Sequence, residues 1–365
     1  MALCLLCVLG SMALLIKNAP AICPTPDPTP DDSTGDDGNN DLQVDSFGID
    51  VVDTTKAKYT YSEMVDDLAL LAERYKGKMT YTTVGSSLDG RNIYAVTLGN
   101  PDAKNQIVIS AGIHAREYMT PMLVMAQLEH YLYYYNTESY EGVKFSEIFE
   151  DYAFCILPMC NPDGITLAQS GLDGIRSEEL RETILSIYEL DRVKFSLDGT
   201  LDEYLSEWKA NARGVDLNRN FDTDDFGTYQ TMSRPCYLNH PGASPLSEPE
   251  TVAMTNYVKS LKNPVLSLAI HSQAEVIYFN CGQKNFDDAE ALALKVGEFT
   301  GYKVETDERH DSAFDDWCNK ALSIPSVTVE TGSVPCPLPI EEFDKIWQKN
   351  RDLWLFAALY YKEKA

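Results

Sequence analysis

Ile107-Val108-Ile109-Ser110-Ala111-Gly112-Ile113-His114-Ala115-Arg116-Glu117 decides how the rest of the chain is read. The apolar run predicts a buried strand, and an imidazole and a carboxylate three residues apart follow where that strand ends. Such a pair can converge on one cation, and a nitrogen with an oxygen suits zinc. Two further runs end the same way. Val265-Leu266-Ser267-Leu268-Ala269-Ile270 leads into His271, and Ile324-Pro325-Ser326-Val327-Thr328-Val329 leads into Glu330. His114, Glu117 and His271 form a donor set that leaves a fourth position open to water, the arrangement of a catalytic zinc rather than a structural one. In open α/β sheets the site lies outside the carboxyl ends of the strands, so three strand ends bring these four residues to one rim.

Around these runs the pattern alternates between strand-like and helix-like segments. Helical periodicity covers Ser62 to Tyr75, Pro121 to Tyr135 with Thr120 at its start, Phe286 to Thr300 and Glu341 to Tyr361. Strands are predicted at Ile93–Leu98, Ile107–Ala111, Tyr152–Leu157, Val265–Ile270, Tyr302–Glu305 and Ile324–Val329. Ser247-Glu248-Pro249-Glu250 reads as a capping box that opens a helix through Leu261. Between Ser170 and Glu207, helical patches at Glu178–Leu190 and Asp202–Trp208 read as a surface insertion or a wall of a cleft. This order predicts one α/β domain, a mixed, mostly parallel twisted sheet with helices on both faces.

Of 365 residues 44% are hydrophobic and 24% charged, an ordinary globular composition. The formal charge of −26 repels nucleic-acid phosphate and anionic lipid; it reads first as a contribution to solubility and only secondarily as a bias toward cationic substrates. Residues 1–21, apolar through Ile16 and closed by Ala19-Pro20-Ala21, read as an export signal or N-terminal anchor. Residues 22–55 are rich in proline and aspartate and read as a flexible spacer, leaving 56–365 as the folded domain. Signal, spacer and domain together predict a secreted protein or one tethered at a cell surface. Nine cysteines are present, none in zinc-finger spacing. Cys155 falls in an apolar strand and is expected to be a buried thiol.

Six motifs occur in order: Gly85-Ser86-Ser87-Leu88-Asp89-Gly90-Arg91, His114-Ala115-Arg116-Glu117, Asn161-Pro162-Asp163-Gly164, Val215-Asp216-Leu217-Asn218-Arg219-Asn220, His271-Ser272 and Thr328-Val329-Glu330. Through them the chain, from about Tyr59 to Tyr361, resembles the zinc metallocarboxypeptidases related to pancreatic carboxypeptidases A and B. The resemblance implies one zinc held by His114, Glu117 and His271. It implies Glu330 as the general base that takes a proton from zinc-activated water and passes it to the leaving amine. Asn218 and Arg219 match the clamp on the substrate's terminal carboxylate, and Arg116 a further substrate-contacting arginine.

The chain departs from the pancreatic pattern in two places. Where those enzymes steady the oxyanion with an arginine after tryptophan, this chain has Trp208-Lys209, which keeps the charge without the planar fork, as in bacterial relatives. The mobile tyrosine expected before Asp315-Asp316-Trp317 is absent from Val304–Phe314, where His310 is the alternative donor. Asp315 resembles the pocket aspartate that selects lysine or arginine, and a diaminopimelate amine would satisfy the same pocket. Only the short spacer precedes Lys56, so no folded activation domain is expected.

The resulting expectation is an exported zinc carboxypeptidase acting on peptides. A γ-D-glutamyl-diamino acid peptidase acting on peptidoglycan stems is the alternative within the same chemistry. A catalytically inactive surface binding module and a zinc amide deacylase, which would not need Asn218 and Arg219, are the alternatives outside it.

Overall fold

The computed structural model describes residues 49–228, 231–280, 286–307 and 312–364. The apolar N-terminal segment, most of the spacer and His310 lie outside the described residues. Helix α1 (Tyr61–Arg74) opens on a capping box in which the Thr60 hydroxyl accepts the Glu63 amide and the Glu63 carboxylate accepts the Thr60 amide. Strands β1 (Met79–Ser86), β2 (Asn92–Leu98) and β3 (Asn105–Ala111) follow, then α2 (Met119–Tyr133), the hairpin β4 (Ser139–Tyr140) and β5 (Val143–Lys144), α3 (Phe145–Asp151) and β6 (Tyr152–Leu157). Next come α4 (Pro162–Ser170), α5 (Glu178–Phe195), α6 (Leu201–Ser206), α7 (Pro249–Ser260), β7 (Pro264–Ser272), β8 (Val276–Asn280) and α8 (Phe286–Thr300). The chain finishes with β9 (Lys303–Asp307), α9 (Phe314–Leu322), β10 (Ser326–Thr331), α10 (Phe343–Asn350) and α11 (Leu353–Lys364).

Eight strands form one twisted sheet in the order β1-β2-β6-β3-β7-β10-β8-β9. Its centre, β6, β3, β7 and β10, is parallel, and the antiparallel pairings β1/β2, β2/β6 and β10/β8 lie toward the flanks. Ile107, Val108 and Ile109 are all fully buried, because helices cover both faces of a parallel centre. Ile107 and Ile109 face a core shared with α2, α8, α10 and α11, whereas Val108 faces one built with Met254 of α7 and Trp317 of α9. The sheet and its two helical layers therefore match the α/β domain expected from the sequence.

Several local expectations are corrected. Helix α2 begins at Met119, not Pro121, and Tyr118 holds the cap position without a side-chain cap. Thr120 lies in the first turn, where its hydroxyl donates to the Glu117 carbonyl and accepts the Gly112 amide, tying the helix to the loop that carries His114. The Ser247 capping box does not form. Pro249 takes the first helical position, so the cap falls on Glu248, whose amide is met by the Asn220 side chain, and α7 ends at Ser260. Glu250 is buried instead, and burial pushes its carboxyl up to about 8. The C-terminal helix is broken after Asn350, where the carbonyls of Asn350 and Arg351 accept from the Gln127 amide and the Tyr131 hydroxyl of α2. Strands β1 and β8 were not expected. Most of β1 is exposed or half-exposed, so it carries too weak an apolar alternation to read.

The first and third motifs meet in a buried charge network. Arg91 donates to Asp89 at 2.6 Å and Asp163 at 2.8 Å, Ser87 donates to Asp163, and Asp89 also accepts the amides of Arg176 and Ser177. Arg91→Met leaves two buried carboxylates without their cation. Chemical denaturation is expected to show a loss of about 3–5 kcal/mol; an unchanged midpoint would show the network to be inessential.

Candidate active site

Strands β3, β7 and β10 lie side by side and end on the same edge of the sheet. Just beyond the end of β3, Gly112 adopts a φ of +62°, where a Cβ would come within 2.8 Å of Pro121 Cγ. That tight turn carries His114 and Glu117 back over the strand ends. His271 is the penultimate residue of β7, and Glu330 sits opposite it in parallel register on β10. All four residues thus reach the rim expected for them.

His114 Nδ1 lies 2.7 Å from Glu117 Oε1, and His271 Nδ1 lies 2.9 Å from Glu117 Oε2, which also accepts the Ser272 amide at 3.1 Å. All three side chains are buried, and one donor atom from each falls within 4.8 Å of the others. Among the described residues no other such cluster of potential metal donors occurs. Burial works against the charge on Glu117, yet His114 and His271 hold its carboxyl well below the usual range. For His114 burial dominates and depresses the imidazole pKa, which keeps a nitrogen lone pair available for a cation. For His271 burial acts in the same sense but is outweighed, since Glu117 beside it raises the pKa.

The outer nitrogen of His114, Nε2, faces Asp216 Oδ1 at 3.2 Å, the carboxylate–histidine pairing that fixes the orientation of a metal-ligating ring. Asp216 is fully buried. Burial opposes its charge, but Lys209, whose Nζ is 3.3 Å from Oδ2, and His114 hold its pKa well down. Asp216 lies within the fourth motif without a role assigned from sequence; its place directly before Leu217-Asn218-Arg219 is the local signal for one. Two imidazoles, one carboxylate and an oriented outer nitrogen fit a divalent ion of zinc's preference.

The remaining candidates surround this cluster. Asn218 and Arg219 are buried in a 3-10 turn (Leu217–Arg219); the Asn218 side-chain oxygen accepts the Phe314 amide, and Arg219 lies close enough to lower the pKa of Asp216. Asp315 is buried in the first turn of α9, near enough to His271 to raise its pKa. Arg116 pairs with Glu207 at 3.0 Å, at the end of the insertion that carries α5 and α6, so the insertion does border the metal loop. Cys336 is buried near Glu117, Arg116 and Glu330, and burial pushes its thiol pKa up. Cys155 is a buried free thiol, as its apolar strand implied.

Comparison with known proteins places these residues in a lineage. A family model described as zinc carboxypeptidase matches residues 64–352. A Lysinibacillus sphaericus protein named gamma-D-glutamyl-L-diamino acid endopeptidase 1 is 29% identical over 304 residues, covering 83% of this chain and 72% of that protein. Rattus norvegicus carboxypeptidase A2 is 25% identical over 260 residues, 68% of this chain and 55% of its own length. The solved structure of bovine thrombin-activatable fibrinolysis inhibitor, in complex with tick carboxypeptidase inhibitor, shares the fold with a TM-score of 0.67 at 19% identity, over 84% of this chain and 98% of that one. With the family match spanning most of the folded residues and the expected donors assembled at the sheet edge, the chain belongs to the zinc carboxypeptidase family.

Proposed function

We propose that this protein is an exported, zinc-dependent carboxypeptidase that removes C-terminal residues from peptides. The observation that carries the reading is the convergence of His114, Glu117 and His271, with Glu330 in register beside His271, at the ends of three adjacent parallel strands. The three donors would hold the zinc. When bound, zinc polarises the scissile carbonyl and acidifies water. Glu330 then serves as the proton carrier, taking a proton from the attacking water and giving it to the leaving amine. Lys209, held beside the cluster by Asp216, supplies positive charge to the carbonyl oxygen as it becomes negative. Asn218 and Arg219 take the terminal carboxylate and so fix which bond lies over the metal. Asp315 receives a cationic side chain, in keeping with the net charge of −26.

Export rests on the apolar N-terminal segment and the spacer. Among the described residues no helix is long and apolar enough to cross a membrane.

A second reading is favoured by the Lysinibacillus sphaericus relative: cleavage of diaminopimelate-bearing peptidoglycan stem peptides, whose side-chain amine suits Asp315 equally. One assay separates these readings and tests the clamp. Peptides ending in Lys, Arg, Leu or Phe are compared with their C-terminal amides and with murein fragments, with and without chelator. For a carboxypeptidase, amidation is expected to slow turnover on the order of 10²-fold, and Arg219→Met is expected to impose a similar loss only on free-carboxylate peptides. Indifference to amidation would favour a deacylase, and preferential cleavage of murein fragments would favour the stem-peptide reading. Faster cleavage of Phe than of Lys or Arg would remove Asp315 from the pocket.

A further inference from the structure

The insertion helix α5 carries a fully buried carboxylate, Asp191, on which four donors converge from two separate segments. The Tyr204 hydroxyl of α6 donates at 2.7 Å, Arg234 Nη1 at 2.7 Å, Cys236 Sγ at 3.2 Å and the Tyr237 amide at 3.1 Å. Burial pushes the Cys236 thiol up to about 12, so it is a donor rather than a competing anion. Asp191 thereby fixes the Arg234–Tyr237 segment against the insertion.

The Tyr237 peptide continues the chain of contacts inward. Its carbonyl accepts the amides of both Lys209, at 2.9 Å, and Ala210, at 3.0 Å, and the Lys209 carbonyl accepts the amide of Ala115, the residue after His114. Two residues beyond Tyr237, the Asn239 amide donates to Asp216 Oδ2, the same oxygen that faces Lys209 Nζ. The backbone of Lys209 and the carboxylate that meets its ammonium are therefore both anchored on one segment, and Asp191 is a buried side chain that holds that segment. A buried carboxylate with four donors is far stiffer than an exposed loop contact, and a loose lysine would forfeit the preorganisation that makes its charge effective.

We propose that Asp191 is a positioning residue for the reaction: through Tyr237 it sets where Lys209 stands over the substrate carbonyl. This rests on the reading of Lys209 in the proposed function, and the insertion is then part of the active-site apparatus rather than a surface ornament.

A double-mutant cycle on the zinc-loaded full chain tests it, with a short peptide carrying a free C-terminal arginine as substrate. Asp191→Asn is expected to lower kcat about tenfold with little change in KM, and to lower it far less in a Lys209→Met background. Zinc content should stay at the wild-type level. Hydrogen exchange at the Lys209 and Ala210 amides should accelerate, an effect independent of turnover. Equal losses of kcat in both backgrounds, or a normal kcat in the Asp191→Asn protein, would overturn the proposal. If Asp191→Asn does not accumulate as folded protein, Tyr204→Phe, which removes one donor, carries the same cycle with a smaller expected loss and the same contrary outcomes. A wild-type protein that cleaves no peptide, or a Lys209→Met variant as fast as wild type, would instead refute the underlying assignment of Lys209.

Discussion

Glu330→Gln is expected to lower kcat on the order of 10³-fold while zinc content stays at the wild-type level. The substitution keeps the shape of the side chain on β10 and its register opposite His271, and it removes the one capacity the chemistry needs there, that of accepting a proton at neutral pH. The zinc donors are untouched, so a fall in bound metal would show that Glu330 helps to hold the site together rather than to move protons. Turnover within a few-fold of wild type would dismiss it as the base. Bound metal with no hydrolysis in either protein would favour a binding module that retains the fold.

His271→Ala is expected to abolish both metal binding and hydrolysis. His271 is one of two imidazoles that keep the buried Glu117 charged, and its Nδ1 is one of only three donors in the cluster. Loss of an outer partner alone commonly weakens metal affinity by about 10–100-fold, so loss of a direct donor should exceed that. It also leaves the buried Glu117 carboxylate without one of its two imidazole partners, which should lower stability as well. Elemental analysis after dialysis, with turnover measured alongside, checks the result. Stoichiometric zinc in an active His271→Ala protein would rule the assignment out.

The features that were legible in the sequence share one physical cause. Strands β3, β7 and β10 are buried on both faces, so they read as unbroken apolar runs, and the polar residue that ends each run stands out. That contrast is what makes His114, Glu117, His271 and Glu330 visible in the sequence. Strand β1 was illegible for the opposite reason, since five of its first six residues are exposed or half-exposed. The break between α10 and α11 has no local signal; side chains of Gln127 and Tyr131, more than 200 residues away, compete for the carbonyls there. Ser247 and Glu250 satisfied the capping-box spacing, but Pro249 and the side chain of Asn220 decided the helix start.

The same distinction applies within the site. Asp216 sits inside a recognisable motif, so its contact with His114 was within reach of sequence reasoning. Asp191 belongs to no motif, and its partners lie 13, 43, 45 and 46 residues away. Side chains that touch the reacting atoms need particular chemistry at particular spacings and leave a local trace. Side chains that hold those groups in place need only to be buried in the right company, and that company is set by tertiary structure.

The most direct measurement is anomalous diffraction at the zinc absorption edge from crystals of the wild-type protein grown without added chelator. A single strong peak bounded by His114 Nδ1, His271 Nδ1 and the Glu117 carboxylate is expected, with Glu330 beside it and outside the coordination sphere. A peak at any other position, or crystals of active protein with none between these three side chains, would contradict it.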